Sequence, residues 1–129
     1  MIRQVLLALA TTVAFAQAAV AGPAQPYTKE AFAAAQKEGK PILVDIHADW
    51  CPTCKAQGTT LSAIAADPAF SGLTIFRIDF DKQKDDVRFF QASRQSTLIA
   101  FNGAKETARS VGSTNAKEIR ALAGSALAK

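Results

Sequence analysis

The sequence predicts an α/β domain with a central mixed four-stranded sheet flanked by helices, in the order αβαβαββα. A nearly continuous apolar run, Pro41–His47, is typical of a central parallel strand that is covered on both faces. Leu61 and Ile64 then repeat at helical spacing, which indicates a helix after that strand. Asn102-Gly103 separates two strand-like segments and indicates a hairpin, so part of the sheet must be antiparallel.

Local signals place the remaining elements. Thr28 can cap the first helix and Gly39 can end it, while Asn115 with Glu118 three residues later can cap the last one. In chain order we expect a helix from 28 to 39, strand 41–47, a helix after the cysteine motif, strand 73–79, helix 82–92, strand 97–101, strand 106–111 and a helix from 115 to about 128. Residues 22–26, with two prolines, look like a short leader, with order beginning near Tyr27.

Residues 1–21 have the pattern of a secretory signal peptide. Arg3 is followed by an apolar run and then by Ala19-Val20-Ala21, a small-residue cleavage site. An uncleaved membrane anchor is the alternative, but the apolar run is short and rich in alanine. We therefore expect cleavage near Ala21, a domain of residues 22–129, and a periplasmic or secreted protein.

Length and charge limit the remaining possibilities. The mature chain is long enough for one compact domain and too short for two. The formal net charge is +4, and the basic residues are scattered among acidic ones instead of being clustered. We therefore expect no nucleic-acid partner, and we expect a monomer.

The chemistry of the chain centres on Cys51-Pro52-Thr53-Cys54, which contains both of its cysteines. Cys51 falls where strand gives way to helix, and the N–H groups of a helix start favour a thiolate there. Pro52 suits the first helical position, and Lys55 adds positive charge. Cys54 lies one turn later, where it can attack a mixed disulfide formed at Cys51 and release the substrate.

Other uses of a cysteine pair are less well supported by the sequence. An inert bridge is possible, but half of a zinc site would need further ligands, and the chain has no second cysteine pair and one histidine, His47. Two thiolates could also hold a soft ion such as Cu(I), which makes a copper-binding or delivery module a competing hypothesis. Thiol-disulfide exchange needs no bound cofactor, and we expect none.

Three further side chains accompany the cysteines. Asp45 lies in an apolar strand, where burial would raise its pKa and allow proton exchange with Cys54, unless the carboxylate reaches solvent at the strand end. His47 is on the same face of that strand and could join the proton path or merely pack. Trp50 could shield the disulfide and contact partners, or belong to the core.

These residues carry a resemblance to the thioredoxin family. The segment from Val44 to Lys55 resembles its active-site segment, and the resemblance continues through 79–81, 97–103 and 111–112. It implies a thioredoxin-like fold with Cys51 as nucleophile, Cys54 as resolving thiol and Asp45 as the buried acid. It also implies that Arg77 takes the place of a basic residue near that acid.

The motif Ala48-Asp49-Trp50-Cys51, together with the signal peptide, is similar to a periplasmic subclass: the C-terminal thioredoxin domain of the membrane thiol-disulfide interchange reductase. This likeness implies protein disulfide substrates, a membrane-embedded electron donor and a reductase role. A disulfide-forming oxidase of the same fold is the nearest alternative. The Pro-Thr pair between the cysteines departs from the Gly-Pro of cytoplasmic thioredoxins and leaves the redox potential open.

A second departure from the family is Ser96, which precedes Thr97 where members usually carry a cis-proline facing the disulfide. A cis peptide before serine is costly, so we expect the Gln95-Ser96 bond to be trans. A serine would then place a backbone N–H and a hydroxyl near the sulfurs and make the groove more polar and more open. On this basis Ser96→Pro should change partner choice or redox potential more than stability.

Overall fold

The computed structural model describes residues 21–128, which form one mixed sheet with helices on both faces. The elements are β1 (Gln25–Pro26), α1 (Lys29–Lys37), β2 (Pro41–His47), α2 (Pro52–Ala66), β3 (Thr74–Asp79), α3 (Lys84–Phe89), β4 (Thr97–Asn102), β5 (Lys105–Val111) and α4 (Ala116–Ser125), with a 3₁₀ turn at Pro68–Phe70. The predicted fold class is confirmed.

The sheet has five strands in the order β1-β3-β2-β4-β5, where four were predicted. β1, β3 and β2 are parallel, whereas β4 and β5 are antiparallel to their neighbours. The additional strand is β1, whose residues were expected to be a leader; the next residue, Tyr27, donates its N–H to Arg77 O at 2.9 Å. Two residues are too few to show a sequence pattern, and Pro26 is tolerated because β1 is an edge strand.

The core lies on both faces of the sheet, and β2 supplies side chains to each. Ile42, Val44 and Ile46 belong to an aromatic-rich cluster with residues of α1 and α3. Leu43 belongs to the opposite cluster, with residues of α2 and α4. Because side chains alternate along a strand, Asp45 lies on the same face as Leu43, the face that α2 covers. The sheet therefore presents its one buried acid to the helix of the cysteines.

The predicted caps at both ends of the chain are present. Thr28 Oγ1 accepts the Ala31 N–H at 3.1 Å, and Asn115 Oδ1 accepts the Glu118 N–H at 3.1 Å. The helix expected at 82–92 spans only Lys84–Phe89. It cannot continue to 92, because Gln91 adopts a φ of 53° that a right-handed helix does not allow.

The signal-peptide prediction falls almost wholly on residues outside the described part of the chain. Ala21, its last residue, is buried and belongs to the same cluster as Leu73 and Ile75. Within residues 21–128 no helix combines the length and the apolar character needed to cross a bilayer.

Candidate active site

The two cysteines meet at the start of α2. Cys51 is the N-cap of this helix, and its Sγ accepts the backbone N–H of Cys54 at 3.1 Å. Both thiols are free. Cys51 is 2% and Cys54 1% exposed, so both cysteines are almost wholly buried. Access to Cys51 therefore requires movement of the side chains around it.

The surroundings of Cys54 disfavour its thiolate form. Burial, followed by the hydrogen bond with Cys51, raises the pKa of Cys54 to about 11, against a smaller opposing effect of the backbone at Ala48 and Ser96. Cys54 is therefore a neutral thiol at physiological pH. It must lose its proton to a base before it can attack a disulfide.

Asp45 is the buried carboxyl group on this face, at 1% exposure. Its Oδ2 accepts hydrogen bonds from Arg77 Nε at 3.0 Å and pairs with Arg77 Nη2 at 3.0 Å, while Oδ1 has no hydrogen-bond partner. Burial raises the pKa of Asp45 and outweighs the opposing pull of Arg77 and His47. The structure thus places Arg77 beside Asp45, as the resemblance implies, without making the carboxyl a strong acid.

Asp45 in β2 and Cys54 in α2 lie on the same side of the sheet but make no direct hydrogen bond with each other. Cys54, His47 and Arg77 all line an open cavity of about 860 Å³, which residues 21–24 and the exposed Lys55 also border. Arg77 contacts Asp45 directly, so the cavity connects the resolving thiol to the surroundings of the buried acid.

His47 and Trp50 flank this centre at the end of β2. His47 Nε2 lies 3.1 Å from Asp49 Oδ1, and its Nδ1 is buried without a partner. Trp50 is 60% exposed and donates its indole N–H to Asp81 Oδ2 at 2.7 Å. Trp50 is therefore not a core residue, and its role as a contact for partners stays a prediction.

Two sequence expectations concern the loop before β4. No peptide bond between residues 21 and 128 is cis, so the predicted trans geometry at Gln95-Ser96 is confirmed. The Ser96 N–H donates to Ile46 O at 2.7 Å and its hydroxyl to Gln95 O at 2.6 Å, so both expected donors have partners within the chain. The more polar and more open groove stays a prediction. Ser96 is 5% exposed and has a φ of 56°. Both polar groups are used to fold the loop.

The remaining predicted residues complete the surroundings. Thr97 is buried, and its hydroxyl donates to Arg94 O at 2.7 Å. Pro52 is the first residue of α2 and is exposed, whereas Thr53 is half-buried. Lys55 donates its backbone N–H to Cys51 O at 3.1 Å, as expected for the first turn of the helix.

Gln57 is the residue that the sequence analysis missed. Its side chain is fully buried, and Nε2 donates to Ser96 O at 3.1 Å and to Ser113 O at 2.9 Å. The signal for it was present in the sequence, because Gln57 follows Cys54 at helical spacing and precedes Leu61 on the buried face of α2. A glutamine on such a face must find hydrogen-bond partners in the core.

Within the part of the chain that the structure describes, no three or more His, Cys, Asp or Glu side chains cluster as a metal site would require. A soft ion bound at the cysteine pair would therefore have two ligands of these residue types, the thiolates of Cys51 and Cys54.

A family model described as Thioredoxin matches residues 23–124. The chain belongs to the thioredoxin family.

Individual relatives agree with this assignment. The thioredoxin of Chlamydia muridarum is 39% identical over 71 residues, which are 55% of this chain and 68% of that protein. The bifunctional thioredoxin reductase/thioredoxin of Mycobacterium leprae is 36% identical over 63% of this chain, which aligns with only 18% of that protein. The crystal structure of Trxlp from Edwardsiella tarda is 43% identical, with a TM-score of 0.72 over 75% of this chain and 95% of that one. Thioredoxin homologues are protein disulfide oxidoreductases, and the adjacent Cys51 and Cys54 give this chain the thioredoxin-type centre.

Proposed function

We propose that this chain reduces disulfide bonds of other proteins in the periplasm, using Cys51 and Cys54. The observation that carries the proposal is the pairing at the start of α2, where Cys51 Sγ accepts the Cys54 N–H at 3.1 Å. The helix start favours negative charge at Cys51, and the second sulfur lies one turn away. This arrangement suits attack by Cys51 and resolution by Cys54.

The reaction moves two electrons from the cysteine pair to the substrate. The Cys51 thiolate attacks one sulfur of the substrate disulfide, whose S–S bond breaks, and the departing sulfur leaves as a thiolate that takes up a proton. Cys54 then gives up its proton and attacks Cys51 Sγ. The mixed disulfide breaks, the second substrate sulfur leaves as a thiolate, and the protein is left with a Cys51–Cys54 disulfide.

Asp45 is the base that we assign to the second step. A thiol with a pKa of about 11 needs an acceptor for its proton, and Asp45 is the buried carboxyl on the sheet face that α2 covers. Burial raises the pKa of Asp45, so its carboxylate is a better base than an exposed one. Arg77 lines the same cavity as Cys54 and donates a hydrogen bond to Asp45, which stabilises the carboxylate form of that residue.

The compartment and the electron donor belong to the proposal as well. The signal-like residues 1–21 support export, and the oxidised pair must be reduced again after each turnover. We assign this reduction to a membrane-embedded dithiol protein, which would receive two electrons from the cell interior and pass them to the Cys51–Cys54 disulfide by thiol-disulfide exchange.

Fractionation of cells that express the full chain, with N-terminal sequencing of the exported protein, tests export and cleavage after Ala21. Recovery of uncleaved protein in the cytoplasm would contradict both.

The reduction potential of the Cys51–Cys54 pair tests the direction of the reaction. A reductase is expected to equilibrate with glutathione or thioredoxin buffers near −270 to −200 mV, whereas a value near −120 mV would indicate an oxidase. Metal analysis of the same reduced sample tests the competing hypothesis, because stoichiometric copper bound by the two thiolates would support a copper module. In cells, Cys54→Ser should trap mixed disulfides at Cys51, and the trapped proteins identify the substrates.

A further inference from the structure

Ser96 is held in a conformation that serine seldom adopts. Its φ of 56° lies in the left-handed region, where a side chain crowds the backbone, and such residues persist only where their surroundings hold them. The Ser96 N–H donates to Ile46 O at 2.7 Å, and the Ser96 carbonyl accepts the Gly112 N–H at 2.9 Å. The loop is thus tied to β2 on one side and to the end of β5 on the other.

Gln57 adds the contact that joins this loop to the helix of the cysteines. Its amide nitrogen donates to both Ser96 O and Ser113 O. Since both partners are carbonyl oxygens, only the NH₂ end of the amide can face them, which fixes its orientation. The other end, Oε1, is buried without a partner, which is costly. A methionine would fill the same space without that cost, so core packing alone does not account for a glutamine.

Cys54 lies one helical turn before Gln57, and the backbone at Ser96 is one of the groups that acts on its sulfur. If the Ser96 loop moved, the surroundings of the resolving thiol would change. We propose that Gln57 is a positioning residue for disulfide exchange, which holds Ser96 in its left-handed conformation and so orients the loop against Cys54. This inference rests on the proposed function, because it concerns the resolving step of that reaction.

The test uses the purified protein and a dithiobis(nitrobenzoate) reagent, which releases a coloured thiolate at each step. Attack by Cys51 releases the first thiolate and leaves a mixed disulfide, and attack by Cys54 on that disulfide releases the second. The variant is Gln57→Met, which keeps the length of the side chain and removes the amide. The matched control is Gln36→Met, since Gln36 Nε2 donates to Gly103 O at 3.3 Å at the far end of β4.

We expect Gln57→Met to slow the second release about tenfold, with the first release within about twofold of wild type. Gln36→Met should leave both rates within about twofold. Adding Ser96→Gly to Gln57→Met should restore most of the second rate, because glycine adopts a positive φ without help. A wild-type second rate in Gln57→Met would overturn the proposal, as would equal slowing of both releases or no recovery with Ser96→Gly.

Failure of this inference is distinct from failure of the proposed function. The proposed function fails if the wild-type protein does not reduce the disulfides of a protein substrate such as insulin. The inference about Gln57 concerns only the ratio of the two release rates, which the reagent reports for any protein with this cysteine pair.

Discussion

The two ends of β4 are built alike, but one is strained and the other is not. Ser96 before the strand and Gly103 after it have φ angles of 56° and 58°. The Ser96 N–H donates to Ile46 O in β2, and the Gly103 N–H donates to Lys40 O, just before β2. Each carbonyl accepts a glutamine side chain, from Gln57 in α2 or Gln36 in α1.

The difference lies in the residue that occupies each position. Glycine is the natural choice at 103, because a Cβ there would come within 3.2 Å of Gly39 Cα. Serine at 96 meets the same backbone requirement with a side chain, beside the cysteine pair. The same backbone conformation thus forms an unstrained turn at one end of β4 and a strained turn at the end beside the cysteines.

The largest expected effect on stability comes from proline at the strained end. Proline cannot adopt a φ of 56° and has no N–H for Ile46 O, so Ser96→Pro should destabilise the fold by about 3 kcal/mol or more. This prediction differs from the sequence-based expectation, which placed the larger effect on redox potential or partners. Urea unfolding of the reduced protein measures it. An unchanged midpoint would show that the loop can rebuild around proline and that its left-handed turn is dispensable.

The next effect is catalytic and belongs to the Ser96 end alone. Asp45→Asn removes the base for Cys54 and should slow the resolving step roughly 10²-fold, the lower range of general-base effects. The measurement is the second thiolate release described above. Asp67→Asn, which changes a partly exposed pair with Arg120, is the control and should leave the rate unchanged. Equal rates for Asp45→Asn and wild type would remove Asp45 from the mechanism.

The same variant has a pH-dependent effect on stability. Burial raises the pKa of Asp45 in the folded protein, so its protonated form favours the fold. The stabilising contribution of Asp45 is complete at a pH below the pKa of the carboxyl in the unfolded chain. It is lost as the pH rises through the raised pKa of Asp45 in the folded protein. Asp45→Asn should thus stabilise the protein relative to wild type at neutral pH and show no such gain near pH ~3, where both states of the wild type are protonated. Unfolding curves across this range check the sign, and a gain confined to low pH would contradict it.

A smaller effect separates the two left-handed residues. Gly103→Ala should destabilise the fold by about 1 to 2 kcal/mol, because it adds both left-handed strain and a close contact. Ser96→Gly should change stability by less than about 0.5 kcal/mol, since relief of strain is offset by the larger chain entropy of unfolded glycine. Chemical unfolding of the two variants side by side gives the difference. A loss at Ser96→Gly as large as that at Gly103→Ala would mean that Ser96 is not strained.

The sequence predicted one end of β4 far better than the other. Asn102-Gly103 is a local turn signal, and the hairpin is present where it was expected. The turn at Ser96 has no such signal, because its conformation depends on Ile46, Gln57 and Gly112, which are distant in the chain. The position of the cysteines at the helix start was also predictable from a local signal, because the strand, the proline and the helix follow one another directly in the sequence. The buried amide of Gln57 and the edge strand β1 arise from tertiary contacts, which a local pattern does not reveal.

The most direct test of the central claim is reduction of insulin disulfides by dithiothreitol, followed as turbidity when the insulin chains separate. The wild-type protein should accelerate this reaction, and Cys51→Ser should give only the rate of dithiothreitol alone. Cys54→Ser should also fail to turn over, while mass spectrometry shows a mixed disulfide at Cys51. Acceleration by Cys51→Ser equal to that of the wild type would contradict the assignment of Cys51 as the attacking thiol.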